Sequence, residues 1–235
     1  MELRKMTMSD VKEYLENFDT VIIPIGATEE HSAALPLGTD TIAAEKMAIE
    51  TGRRTSRIVA PVISVGNCHS VTFAFPGTMS LSPHTLTLVI EDYLKSLYKH
   101  GFRKFLFVNG HGGNVAPIRC AIDEVAPIFK NSRFAVGSWW RFPELAKLYD
   151  NAGHAGRGEV SMMLYLAPEL VKSENFTEEK IKYPGYFVSE DLVFDEITKT
   201  GIIADNQKGS AELGRELFEK SVEVYVKMVK MLERN

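Results

Sequence analysis

Apolar residues fall along this chain in two kinds of run, and the two kinds alternate. The first kind is short, β-branched and unbroken by polar residues. Thr20–Ile25 reads Thr-Val-Ile-Ile-Pro-Ile, 58–63 and 105–108 are similar, and 133–139 is a fourth candidate. Apolar side chains at successive positions mark a strand covered on both faces. Pro24 has no N–H to give a ladder, which predicts that the end of the first run leaves the sheet. The second kind recurs at helical spacing. Ser82 is placed to cap a helix, Pro83 to open it and Gly101 to stop it, and Leu86, Ile90, Leu94 and Leu97 make one buried stripe between them. Residues 40–55 and 115–129 also read as helices. Leu213, Leu217, Val224, Met228 and Met231 stripe a closing helix.

Strands that alternate with helices need crossover connections. This predicts an α/β fold: a single domain over residues 1–235, with a mostly parallel sheet flanked by helices. The stretch 173–201 is the least regular and reads as an excursion or lid rather than a second domain. Ligand sites in such sheets gather at the carboxyl ends of the strands. The residues that follow each strand are therefore where chemistry is expected.

Composition then narrows the partners. The 235 residues are 45% hydrophobic, enough for a sizeable core and too rich for a disordered chain. Lys+Arg is 27 and Asp+Glu is 31, a net charge of −4, so no broad basic surface and no nucleic-acid partner are expected. No apolar run approaches the roughly 18 residues of a membrane helix, so no membrane partner is expected. The first residues lack an apolar signal core, and Cys68 and Cys120 are too few for a disulfide framework. Reduced thiols in a cytoplasmic protein are the expectation.

After the first strand come Glu29-Glu30-His31 and, past a Pro-Gly turn, Asp40. If this loop is extended, Glu29 and His31 face one side and Glu30 turns away. Asp40 is either the N-cap of the next helix or a third ligand brought back by the turn. Carboxylate and imidazole together suit Zn²⁺, Mn²⁺ or Fe²⁺. After the third strand comes Asn109-Gly110-His111-Gly112-Gly113-Asn114, which lacks the lysine of a phosphate loop. His111 is either a hydrogen-bonded turn residue or a ligand. In a parallel sheet it falls on the same edge as the first group. The third group is Gly153-His154-Ala155-Gly156-Arg157-Gly158-Glu159. Glu159 is either a first-turn partner of the helix dipole or a ligand, and His154 is a plausible proton donor. Trp139 and Trp140 end the fourth strand, as core or as the wall of a ligand pocket.

Taken together these segments resemble the creatininase family of creatinine amidohydrolase-like enzymes. Residues 26–40 are close to its G-S-x-E-x-H-G-x-H-L-P-L-G-T-D, 75–81 to its F-P-G-T-x-S-L, 109–114 to its N-G-H-G-G-N and 153–161 to its H-A-G-x-x-E-T-S. Residues 201–205 and Gly214 are similar to its late G-V-x-G-D segment. The resemblance implies an α/β fold, a binuclear metal site, hydrolysis of a C–N bond and a homo-oligomer, commonly a hexamer. By position it gives Glu29, Asp40 and His111 to one metal and His31, Asp40 and Glu159 to the other. Creatininase has a glutamate ligand where this chain has Gly113, and Glu159 is its expected replacement. Asn67-Cys68-His69 and Ala34 also depart from the pattern. These changes argue against creatinine itself, and the family also includes enzymes acting on formamides and peptides.

The expected activity is metal-dependent amide hydrolysis with two divalent ions per chain, Zn, Mn or Fe. A water shared by the ions would ionise near neutral pH and attack a carbonyl, and His154 would give a proton to the leaving nitrogen. Trp139 or Trp140 would pack against a small-molecule amide substrate, and Arg157 would meet an anionic group on it. The competing readings are a non-catalytic or regulatory metal-binding protein on the same scaffold, and a family peptidase.

Overall fold

The computed structural model describes residues 1–68, 72–146, 148, 153–179, 198–202 and 208–234. Four parallel strands lie in the order β2-β1-β3-β4: β1 Thr20–Ile25, β2 Ile58–Val59, β3 Lys104–Asn109 and β4 Arg133–Ser138. The sequence expected a largely parallel sheet between helices, and this is one. The helices are α1 Met8–Leu15, α2 Thr39–Thr55, α3 Pro83–Lys99, α4 Val115–Val125, α5 Arg157–Leu166 and α6 Ala211–Leu232. None among the described residues is long and apolar enough to cross a membrane.

Alternation along the central strands builds two cores at once. Ile22, Leu106 and Val108 face α2, α5 and α6, whereas Val21, Ile23, Ile25, Phe105 and Phe107 face α1, α3 and α4. That is why the runs read as uninterrupted: each face of a central strand has its own helical layer. The capping signals of α3 hold. Ser82 Oγ accepts from the Thr85 N–H, Pro83 opens the helix, and Gly101 follows it at φ +113°.

Three expectations need correction, and one open alternative closes. Pro24 stays in the sheet, paired with Val108, and Ile25 follows it opposite Asn109. Its carbonyl accepts from Ile63 on the β2 side, where its missing N–H would also point and where β2 has already ended. The ladder loses no donor there. β2 itself is two residues rather than six: it ends at Val59, two residues before Pro61, and Ile63 returns only as an isolated bridge to Ile25. The buried stripe of α6 runs through Leu217, Phe218, Val222, Tyr225, Val229 and Leu232, while Met231 is exposed. Tyr225 lies on that stripe and reaches across to donate its hydroxyl to the Gly137 carbonyl at 3.0 Å. Finally, α2 is capped at Gly38, so Asp40 sits inside its first turn and its carboxylate is not spent on the backbone.

The carboxyl ends of β1, β3 and β4 lie side by side. Asn109 ties them together: its side chain donates to the His111 carbonyl at 2.8 Å and to Ser138 Oγ at 3.1 Å.

Candidate metal centre

The loop leaving β1 turns three charged side chains inward within one short stretch. Glu29, Glu30 and His31 are 2%, 5% and 0% exposed. His31 Nδ1 lies 3.2 Å from the Glu29 carbonyl, which places the proton on Nδ1. Its other nitrogen, Nε2, then offers a lone pair toward Asp40 Oδ1 at 3.3 Å and Glu159 Oε1 at 3.8 Å. His111 is held the opposite way round. Its Nε2–H donates to the Asn67 carbonyl at 2.9 Å, and its Nδ1 faces Glu29 Oε1 at 2.9 Å and Asp40 Oδ2 at 3.0 Å. The two oxygens of Asp40 thus face two different imidazoles. Thr72 Oγ1 donates to the remaining Glu29 oxygen at 2.5 Å and fixes that carboxylate.

This donor set fits divalent cations. Among the described residues, His31 Nε2 and Glu159 Oε2 are buried polar atoms that make no hydrogen bond. Burying such groups unsatisfied is costly, so a buried base left unbonded beside carboxylates is the signature of a missing cation. The imidazole and carboxylate atoms lie 2.9–3.8 Å apart, close to the spacing of ligands that share an ion at about 2.0–2.2 Å. Each histidine also has its outward nitrogen pinned by a backbone carbonyl, the arrangement that orients metal-binding imidazoles. His31, Asp40 and Glu159 form one cradle. Glu29 and Asp40 face His111 Nδ1 in another, which Cys68 also borders, its Sγ 3.8 Å from His111 Nε2. Glu29, His31 and His154 also lie close enough to share an ion.

Charge balance supports the same reading. Burial disfavours imidazolium at His31, but Asp40 and Glu159 outweigh it and hold its pKa well above the usual value. Burial likewise works against His111, and Glu29 and Asp40 raise it well above the usual range. Burial would raise Glu29, yet His111, His154 and His31 keep it well below an ordinary carboxylate. The carboxylates around both imidazoles thus favour positive charge in this centre.

His154 stands next to it, on the loop before α5. Its ring centroid is 4.5 Å from that of His31 and its Nδ1 is 3.8 Å from Glu29 Oε1. Its Nε2 meets two oxygens of Glu30, the carbonyl at 2.8 Å and Oε1 at 3.0 Å. Glu30 does turn away from Asp40 and Glu159, as the alternation suggested, but it turns toward His154 and not toward solvent. The loop is not extended throughout: Ser32 adopts φ +62°, and its N–H donates back to Glu30 Oε2 at 2.8 Å.

Gly113 explains why the creatininase-type glutamate is missing. A Cβ built there would run into the Asn67 carbonyl oxygen and come within 2.7 Å of His111 Nε2. The 66–68 loop occupies the space such a side chain needs, and its carbonyl now orients His111.

The other expected residues fall as follows. Trp139 is buried in the core beside α6, and Trp140 packs edge-on against it at 6.0 Å. Arg157 is half-buried and donates through Nε to the Lys208 carbonyl at 3.2 Å. Most of the 173–201 excursion, residues 180–197, lies outside the described residues, as do 203–205 of the late motif. The excursion's ends are joined: the Glu179 carboxylate accepts from Thr198 Oγ1 at 2.6 Å and from the N–H groups of Lys199 and Thr200 at 3.0 and 3.1 Å. Sequence reasoning missed Thr72, Asn67 and the role of Glu30. Glu30 lay within a candidate loop, whereas Asn67 stood out only as a departure from the family pattern.

An α/β sheet with carboxylates and imidazoles converging at its carboxyl edge defines a metal-binding hydrolase centre. The family model described as creatinine amidohydrolase matches residues 4–229, and the chain belongs to the creatininase family. The relatives it matches are named as a hydrolase, a peptidase and an amidohydrolase. The chain is 31% identical over 179 residues to the 3-dehydro-scyllo-inosose hydrolase of Thermotoga maritima, a match covering 72% of this chain and 57% of that enzyme. Somewhat over half of that relative's length is therefore matched. It is 27% identical over 222 residues to the mycofactocin precursor peptide peptidase of Mycobacterium tuberculosis (strain CDC 1551 / Oshkosh), covering 89% and 84%. A solved creatininase in its Mn form superposes with a TM-score of 0.87 at 25% identity, over 99% of each chain.

Proposed function

We propose that this protein hydrolyses an amide C–N bond in a small molecule, using two divalent ions per chain. The observation that carries the reading is the pair of cradles that share Asp40, with His111 Nδ1 at 3.0 Å from one oxygen and His31 Nε2 at 3.3 Å from the other. When bound, Zn²⁺, Mn²⁺ or Fe²⁺ would make water acidic and polarise the substrate carbonyl. The chain's own residues supply the rest. Glu29, His31, Asp40, His111 and Glu159 are the ligands, held by the backbone carbonyls behind each imidazole. His154 takes up and releases a proton at Nδ1, which faces the centre, and so protonates the leaving nitrogen. Trp139 and Trp140 follow β4 at the same sheet edge, and Trp140 is the one with a half-exposed face to offer a substrate.

A peptide substrate is a second reading, favoured by the likeness to the peptidase over 89% of the chain. The test takes protein reconstituted separately with Mn²⁺, Zn²⁺ and Fe²⁺ through cyclic amides, formamides and short peptides, with metal content measured on the same samples. Two ions per chain and turnover of one class support the proposal. A loading that never exceeds one ion, or a fully loaded protein inert toward all three classes, sinks it.

A further inference from the structure

Resting on the reading of His154 as the proton carrier, we infer that Glu30 is its positioning residue: the carboxylate holds the imidazole in its Nε2–H form and aims Nδ1 at the centre. Both oxygens that meet His154 Nε2 belong to Glu30, the carbonyl at 2.8 Å and Oε1 at 3.0 Å. A nitrogen facing two acceptors must carry the proton, which leaves the Nδ1 lone pair on the side of Glu29 Oε1, 3.8 Å away.

Glu30 is itself over-determined. Its N–H donates to Thr78 Oγ1 at 3.0 Å, which fixes the peptide whose carbonyl meets His154. Its second carboxylate oxygen accepts from the Ser32 N–H at 2.8 Å, across a left-handed residue. Gly201, at φ +76°, packs directly on the carboxylate, and any side chain there would collide with it. That glycine follows the residues Glu179 gathers, so the base of the excursion closes over Glu30 and keeps water off it.

Acceptance on both oxygens makes an amide a poor substitute. A glutamine offers one acceptor and one donor, so it would oppose donor to donor at either Ser32 or His154. The Glu30 carbonyl would still hold the proton on Nε2, so an amide NH₂ turned toward the ring meets it donor to donor and pushes the imidazole out of line with the centre. In turnover a proton of the attacking water passes to Nδ1 as the water oxygen bonds the carbonyl carbon. It then passes to the nitrogen as the C–N bond breaks, and the imidazole ends neutral. The Glu30 carboxylate offsets the positive charge held between those two transfers, as the acid of a Ser-His-Asp triad does.

The experiment compares the Zn-loaded wild type with E30Q, H154A and the double variant, using a substrate found by the screen above. Glu30→Gln should keep wild-type metal content, hold KM within a few-fold and lose kcat by about 10²–10⁴. Adding H154A should cost little more. The Nε2–H proton of His154, seen in labelled protein, should resonate as a hydrogen bond to a carboxylate in the wild type and shift upfield in E30Q, a readout that needs no substrate. Near-wild-type kcat in E30Q with that resonance unchanged overturns the inference, as do multiplicative effects of the two variants or loss of metal from E30Q. If instead H154A turns over at full rate, it is the reading of His154 that has failed.

Discussion

His154 and Glu159 lie on one short segment, and their surroundings give them different work. Glu159 offers Oε1 to the same gap as His31 Nε2 and keeps a buried, unbonded Oε2, whereas His154 is tied by Nε2 to Glu30. His154→Ala should therefore retain metal and lose turnover by about 10²–10⁴, the usual worth of general acid–base catalysis. Glu159→Ala should lose the ion on the His31 side first, and activity with it. Metal analysis and kcat on the two purified variants decide the matter, and metal loss in H154A with retention in E159A inverts the assignment. The convergence of Glu29, His31, Asp40, His111 and Glu159 was legible because their motifs set them at strand ends, where a parallel sheet brings them together. Glu30 was not, because the left-handed Ser32 that aims it leaves no mark in an alternation pattern. Thr72 and Asn67 were illegible for another reason: one acts through a hydroxyl on a loop, the other through a backbone carbonyl, and neither needs a distinctive residue type.

At the scale of elements, α6 buries the apolar stripe that carries Tyr225, whose hydroxyl also reaches the Gly137 carbonyl. The apolar residues of α6 permit a stripe through Met228 and Met231, yet the helix turns the face bearing Tyr225 inward. Tyr225→Phe leaves that buried carbonyl without its donor and should cost about 1–3 kcal/mol of stability. Denaturant unfolding measures it; a loss under about 0.5 kcal/mol, the usual range of neutral surface changes, would show that packing alone sets the helix rotation. Strand identity was readable in advance and strand length was not. Pro24 stays paired inside β1, whereas β2 ends at Val59, two residues before Pro61.

For the molecule as a whole, metal and protons compete for one buried centre. With folded pKa values raised well above the usual imidazole value of 6.5, His31 and His111 stabilise the metal-free fold fully below that value. The contribution is lost as pH rises through the raised folded values. The chelated protein should thus remain folded on a core of this size, with a Tm that falls as pH climbs above about 6.5. The metal-loaded protein, whose imidazoles serve as neutral ligands, should not show that decline. Thermal scans from pH 6 to 9 with and without chelator make the comparison. Parallel curves would mean that the histidines are not charged in the metal-free state.

Gly113 and the Asn67 carbonyl share one small space, and this constrains substitution as well as geometry. A glutamate introduced at 113 meets the loop before it can reach a metal, and a loop withdrawn alone strips His111 of the acceptor that orients it. The two positions are in contact, so changes at them are expected to be coupled rather than additive. A side chain at 113 needs a 66–68 loop placed differently from this one.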